Sequence, residues 1–220
     1  MRIWAFVQQK GGAGKSTLST QLSVYAEQCG EAVVLVDLDP QGSAVAWSNV
    51  RGTRQPAVLP ATPDKVHELI EKAPMFGATL VIIDTAPHSD AGAVAAIRAA
   101  DLIICPTQPS LFDVAALKDT VSILELCETK DKAVCVVNGL PHQGAQAAYL
   151  EAVAAVESLG LKALKAHIGH RRPFAVSIQK GKGVTESHKS DQSAKEIRAL
   201  WNELNALAPI KITKKKEHAR

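Results

Sequence analysis

Two lysines bracket a run of glycines near the start of the chain. The order is Lys10, Gly11, Gly12, Ala13, Gly14, Lys15, followed by Ser16 and Thr17. Glycines let backbone N–H groups close around phosphate oxygens with no Cβ in the way. A helix that starts at this point adds partial positive charge. Lys15 is spaced to reach the β- and γ-phosphates of a nucleotide, and the Ser16 hydroxyl to ligate Mg²⁺. The ordinary phosphate loop, G-x-x-x-x-G-K-[ST], needs glycine at position 9, where this chain has Gln9. It carries K-G-G-x-G-K-S instead, with the extra Lys10 at the front of the loop.

Carboxylates supply the second half of the chemistry. An apolar run over residues 32–36 ends in Asp37-Leu38-Asp39-Pro40-Gln41-Gly42. Two acids at i and i+2 point the same way while a strand persists. A second apolar run, residues 80–83, ends in Asp84, the pattern that holds Mg²⁺ through water beside a phosphate loop. A third, residues 133–137, ends in Asn138, although asparagine is also a common turn residue.

The elements that must position these groups follow from periodicity. A strand is predicted over residues 3–7 before the loop. A helix follows it, with Leu18, Leu22, Tyr25 and Cys29 on one face and Gly30 as its stop. Further strands are predicted at 32–36, 80–83, 102–106, 133–138 and 163–168, and helices at 44–49, 64–73, 111–127, 146–158 and 191–207. Residues 43–62 are otherwise weakly patterned. Trp201 falls on the packing face of the last helix and reads as a core anchor. Continuous apolar strands alternating with helices predict an α/β fold: a doubly wound, mainly parallel sheet with helices on both faces. Ligands of such sheets lie along the C-terminal strand edge. One domain is expected over residues 1–208, with a basic tail at 209–220 that includes Lys211, Lys214, Lys215 and Lys216.

Taken as a set, the segments at 9–17, 34–42 and 80–87 resemble the deviant Walker A, Walker A′ and Walker B motifs of the ParA/MinD family of P-loop NTPases. The resemblance implies Mg²⁺-dependent ATP hydrolysis, slow without a partner. It implies that residues 10–17 hold the nucleotide, with Ser16, Asp37 and Asp84 around Mg²⁺. Asp39 positions or activates the attacking water, and Asn138 and residues 106–109 line the adenine pocket. It further implies a homodimer with ATP sandwiched between subunits, in which Lys10 reaches the partner's phosphates. The chain resembles the small form of ParA, which lacks an N-terminal helix-turn-helix. Non-specific DNA is the implied partner of the ATP state; the basic C-terminal third of this chain offers Arg171, Arg172, Lys180 and Lys182 as candidate contacts, with the Lys214–Lys216 tail beside them. A separate centromere-binding adaptor is implied to stimulate hydrolysis. The cargo is then plasmid or chromosomal DNA, or alternatively a protein cluster carried on the nucleoid.

Charge and composition bear on the same expectations. Residues 1–160 hold 11 Lys and Arg against 17 Asp and Glu, whereas residues 161–220 hold 14 against 5. Such a split fits either a polyanion partner or a solvated basic surface. No apolar run approaches the ~20 residues of a membrane span, and the tail is too polar for an amphipathic anchor, so a MinD-like membrane cycle and stable membrane association are disfavoured. The opening of the chain leads straight into the first strand, with no cleavable signal expected. The four cysteines form no C-x-x-C pair, which speaks for buried thiols of a cytoplasmic protein and against a metal-cluster carrier, while the resemblance to the ParA family implies association with the nucleoid. His167 and His170 lack neighbouring Cys or acidic ligands and are read as ordinary loop histidines.

Overall fold

The computed structural model describes residues 1–208; the tail lysines at 211 and 214–216 lie outside the described residues. In chain order the major elements are β1 (Arg2–Phe6), α1 (Lys15–Gln28), β2 (Val33–Asp37), α2 (Ser43–Arg51), β3 (Ala57–Pro60), α3 (Val66–Lys72), β4 (Leu80–Asp84), α4 (Asp90–Ala99), β5 (Leu102–Thr107), α5 (Leu111–Leu126), β6 (Ala133–Leu140), α6 (Ala145–Ser158), β7 (Lys162–Ala163), β8 (Ile168–Gly169), α7 (Arg172–Gln179), α8 (Val184–Ser187) and α9 (Gln192–Leu207). The sheet has eight strands in the order β3-β2-β4-β1-β5-β6-β7, with β8 also on β6. Every described pairing is parallel.

Both sheet faces are covered, which explains why the strands read as unbroken apolar runs. Along β1, Trp4 and Phe6 face one layer and Ala5 the other. Leu80 and Ile82 against Val81 and Ile83 repeat this alternation in β4. The first layer contains Leu18, Leu22 and Ala26 of α1 with Ile197, Leu200, Trp201 and Leu204 of α9. The second contains Ala93 and Ala96 of α4, Leu117, Val121 and Leu124 of α5, and Val156 of α6. Trp201 is a core anchor, tilted against Trp4 at 5.2 Å between ring centroids. Each fully buried Leu or Ile contributes about 1.5–3 kcal/mol, so the central strands form a stiff base for the loops at their C-terminal ends. Among the described residues no helix is long and apolar enough to cross a membrane.

Three departures from the pattern reading have physical causes. β3 falls within the weakly patterned stretch because it is a four-residue edge strand, half exposed and ending in proline. α4 is not announced by periodicity because it is mostly Ala and Gly; its start is marked by Ser89, whose Oγ accepts from the Gly92 N–H at 3.2 Å. The strand predicted over 163–168 is two dipeptide strands, β7 and β8, each paired separately with β6.

Candidate nucleotide site at the sheet edge

Register puts the acids where the loop begins. Phe6 of β1 and Asp37 of β2 both align with Asp84 of β4. The phosphate loop therefore leaves β1 level with both carboxylates. α1 opens at Gly14, in the left-handed region at φ +100, and no side chain caps it. Its first N–H groups are thus free for an anion. A Cβ at Gly14 would run into the Asn138 amide, so only glycine fits. Gly11, Gly12, Gly14, Lys15, Ser16 and Thr17, with Asp39, Ser43 and Pro87, line a cleft of ≈ 260 Å³. A larger apolar groove of ≈ 710 Å³ adjoins it and shares Asp39, but it lacks the loop backbone that would bind phosphate.

Lys15 is buried, and its Nζ donates to the Gln8 carbonyl at 2.8 Å and to the Lys10 carbonyl at 3.4 Å. Burial pushes its ammonium below the ordinary lysine value, while Asp84 and Asp39 pull the other way. Asp84 is fully buried, and neither carboxylate oxygen has a hydrogen-bond partner among the described residues. Burial pushes it up to about 7, against the nearby Ser16 hydroxyl and the Lys15 ammonium. An orphaned carboxylate beside a hydroxyl is a hard-oxygen donor set suited to Mg²⁺, which takes one or two carboxylates and keeps its other ligands as water and phosphate. The residues present fit that ion.

Residues 4–211 match the family model described as the CobQ/CobB/MinD/ParA nucleotide binding domain. The chain belongs to that family. The "Maintenance of carboxysome distribution protein A" of Gloeobacter kilaueensis is 40% identical to it over 121 residues, covering 54% of this chain and 55% of that one. The protein of the same description from Halothiobacillus neapolitanus is 28% identical over 209 residues, covering 91% and 94%. "Chromosome-partitioning ATPase Soj" of Thermus thermophilus is 31% identical over 154 residues, covering 57% and 62%. The chain thus spans little more than half the length of the first and third of these in its matched region. Among solved structures, the MinC:MinD complex of Aquifex aeolicus superposes with a TM-score of 0.79 at 16% identity over 94% and 96% of the chains, a likeness of fold.

Within this ParA/MinD-type domain the remaining site residues have definite partners. Lys10 is half exposed, and its Nζ pairs with Asp113 Oδ1 at 2.9 Å. Asp113 sits at the start of α5, where Ser110 Oγ accepts from its N–H at 3.2 Å. Asp37 accepts from the Asp39 N–H at 3.1 Å and from the Ala44 and Val45 N–H groups at 2.9 and 3.1 Å. Its carboxylate is engaged in holding the A′ loop and capping α2. Asp39 accepts from the Gln41 N–H at 2.9 Å and faces the cleft. Asn138 Nδ2 donates to the Ala13 carbonyl at 2.8 Å, so the structure uses it to brace the phosphate loop.

Several contributors escape a motif reading. Gln8 accepts from Thr120 Oγ1 at 2.8 Å, and the same hydroxyl accepts from the Gln9 N–H at 3.2 Å. Gln108 Nε2 donates to the Gly12 carbonyl at 2.8 Å. The paired glutamines ahead of the loop are the one sequence signal for this bracing. Among the candidate DNA contacts, Arg171 is bound twice over to Glu196, through Nε at 2.9 Å and Nη2 at 2.6 Å. Arg172, Lys180 and Lys182 are exposed. Among the described residues no group of three or more His, Cys, Asp or Glu is placed to hold a metal ion, and His167 instead stacks on Tyr149 at 4.6 Å.

Proposed function

We propose that this chain is a Mg²⁺-dependent ATPase whose ATP-bound form is a homodimer that binds DNA non-specifically and is reset by hydrolysis. The observation that carries the reading is Lys10: a second loop lysine, held at the rim at 2.9 Å from Asp113 rather than buried in its own loop. A lysine so placed can reach a partner's phosphates once its pair with Asp113 opens. The exposed Phe112 beside Asp113 gives the same rim an apolar contact. Lys15 and the open N–H groups of α1 hold the β- and γ-phosphates. Ser16 and Asp84 hold the ion, with Asp37 setting the shape of the loop beside it. Mg²⁺, when bound, offsets charge on the transferring phosphoryl group. Asp39 orients the attacking water at the mouth of the cleft. Asn138 keeps the loop closed and borders the base. Because only the triphosphate spans two subunits, hydrolysis releases the dimer.

Lys10→Ala tests this directly. It is expected to bind ATP, to stay monomeric by sedimentation in ATP, and to lose stimulated turnover. A variant that dimerised and hydrolysed like wild type would overturn the reading.

On cargo, we infer a positioning role served by a separate adaptor. Segregation of plasmid or chromosomal DNA is one form. The 91% and 94% coverage by the Halothiobacillus neapolitanus relative favours the second form, in which a protein assembly is distributed over the nucleoid. Identifying what co-purifies with an ATP-trapped Asp39→Ala variant separates them: a DNA-binding adaptor supports the first form and a component of a protein assembly the second.

A further inference from the structure

The basic loop after α7 is joined to a distant part of the chain. Arg51, the last residue of α2, is the joint. Its Nε donates to the Gln55 carbonyl at 2.7 Å, and its Nη1 to the Gly181 carbonyl at 3.0 Å. The same guanidinium grips Glu186 with both terminal nitrogens, at 2.8 and 2.7 Å, and lies over the Trp47 ring at 5.3 Å. Gly181 has φ +62, and a Cβ there would collide with the Arg51 backbone, so the two segments abut main chain to main chain. Thr53 Oγ1 donates to the Gln55 carbonyl at 3.0 Å and tightens the turn that carries Arg54.

Three cations surround this joint. Arg54 is exposed on the turn between α2 and β3, and Lys180 and Lys182 are exposed on either side of Gly181. Residues 43–56 and 172–183 contain no Asp or Glu. Glu186, which reaches the joint from α8, is occupied by Arg51. Among the described residues none of the three cations forms a salt bridge. Positive charge therefore accumulates from two chain segments on one rigid support, which lowers the ordering cost of meeting a polyanion.

We propose that the α2–β3 turn and the α7–α8 loop form a single duplex-DNA-binding surface, in which Arg54 contacts phosphate beside Lys180 and Lys182. The proposal rests on the DNA reading above and adds a residue that the C-terminal charge excess does not include. Cations on short, pinned loops suit phosphate contacts, which carry no sequence information.

The test is binding of the full chain, with ATP and Mg²⁺, to a mixed-sequence duplex across a salt series. Arg54→Gln is expected to weaken binding several-fold at low salt and to reduce the slope of log affinity against log salt by about one. Arg54→Lys is expected to keep the slope. A Lys180→Gln/Lys182→Gln double variant should reduce it by about two. If the double variant loses slope and Arg54→Gln does not, the composite surface is wrong and the DNA reading survives. If no chain, wild type included, binds duplex in ATP, the DNA reading fails as well. Loss confined to anionic phosphatidylglycerol vesicles, with duplex binding intact, also overturns the proposal. Melting temperatures within about 2 °C of wild type exclude a folding defect, as expected for exposed substitutions.

Discussion

Asp84 and Lys10 sit at neighbouring motif positions in opposite environments, one fully buried and one half exposed in an ion pair. Among the described residues neither Asp84 oxygen has a hydrogen-bond partner, and burial pushes its carboxyl up to about 7 against the nearby Ser16 hydroxyl. Between the ordinary carboxylate value and about 7 the native state binds a proton that the unfolded chain does not. Stability of the metal-free protein should therefore fall as pH rises through that window and level off above it. Three pKa units correspond to about 4 kcal/mol, an upper bound for the gain on removing the charge. Asp84→Asn, melted without metal or nucleotide, should gain several degrees at pH 8 and little at pH 5, while losing any thermal response to Mg²⁺ with ATP. Lys10 poses the opposite case. Its pair with Asp113 must open before it can reach a second subunit. A pair with a half-exposed lysine is worth about 1 kcal/mol, so the hold is weak. Asp113→Asn should lower the ATP concentration for half-maximal dimerisation by up to several-fold, read by light scattering.

At the scale of elements, α2 is tied at both ends. Asp37 caps its first turn from β2, and Arg51 pins its last residue to Gly181 and Glu186. The second tie is a two-pronged pair with side-chain exposures of 10% and 28%, shielded enough to matter. Burial works to raise the Glu186 carboxyl, yet Arg51 and the Gly183 N–H keep it below its ordinary value. The stabilisation is thus present at neutral pH and fades as pH falls through the folded value. Glu186→Gln should cost about 1–3 kcal/mol, or roughly 2–12 °C in melting temperature at this size, with the deficit shrinking in acid.

For the whole molecule, the question is which basic residues are surface and which are structure. Arg171 lies beside Arg172 in sequence, but Glu196 grips it, and the Gly169 N–H shares that carboxylate at 3.2 Å. Glu196 is itself buried, so removing Arg171 leaves a charge without its partner. Arg171→Ala should therefore lower the melting temperature by several degrees, whereas Arg172→Ala should leave it near wild type and weaken duplex binding by a few-fold. Thermal melts and a salt-series titration of the two variants, run side by side, check this.

The glycine-lysine loop, the acids ending two buried strands and the alternation of apolar runs with helices were legible from residue order. Each is local: a strand buried on both faces must be apolar throughout, and a phosphate loop needs its glycines in consecutive positions. Those features determined the fold class and pointed to the C-terminal sheet edge as the candidate site. Pairings between distant segments were not legible. Asn138 on Ala13, Asp113 on Lys10, Glu196 on Arg171 and Arg51 on Gly181 each join residues whose separation in sequence carries no periodic signal. The parallel sheet order and the packing of α2 against α7 bring such segments together, and a side chain's partner depends on that three-dimensional packing.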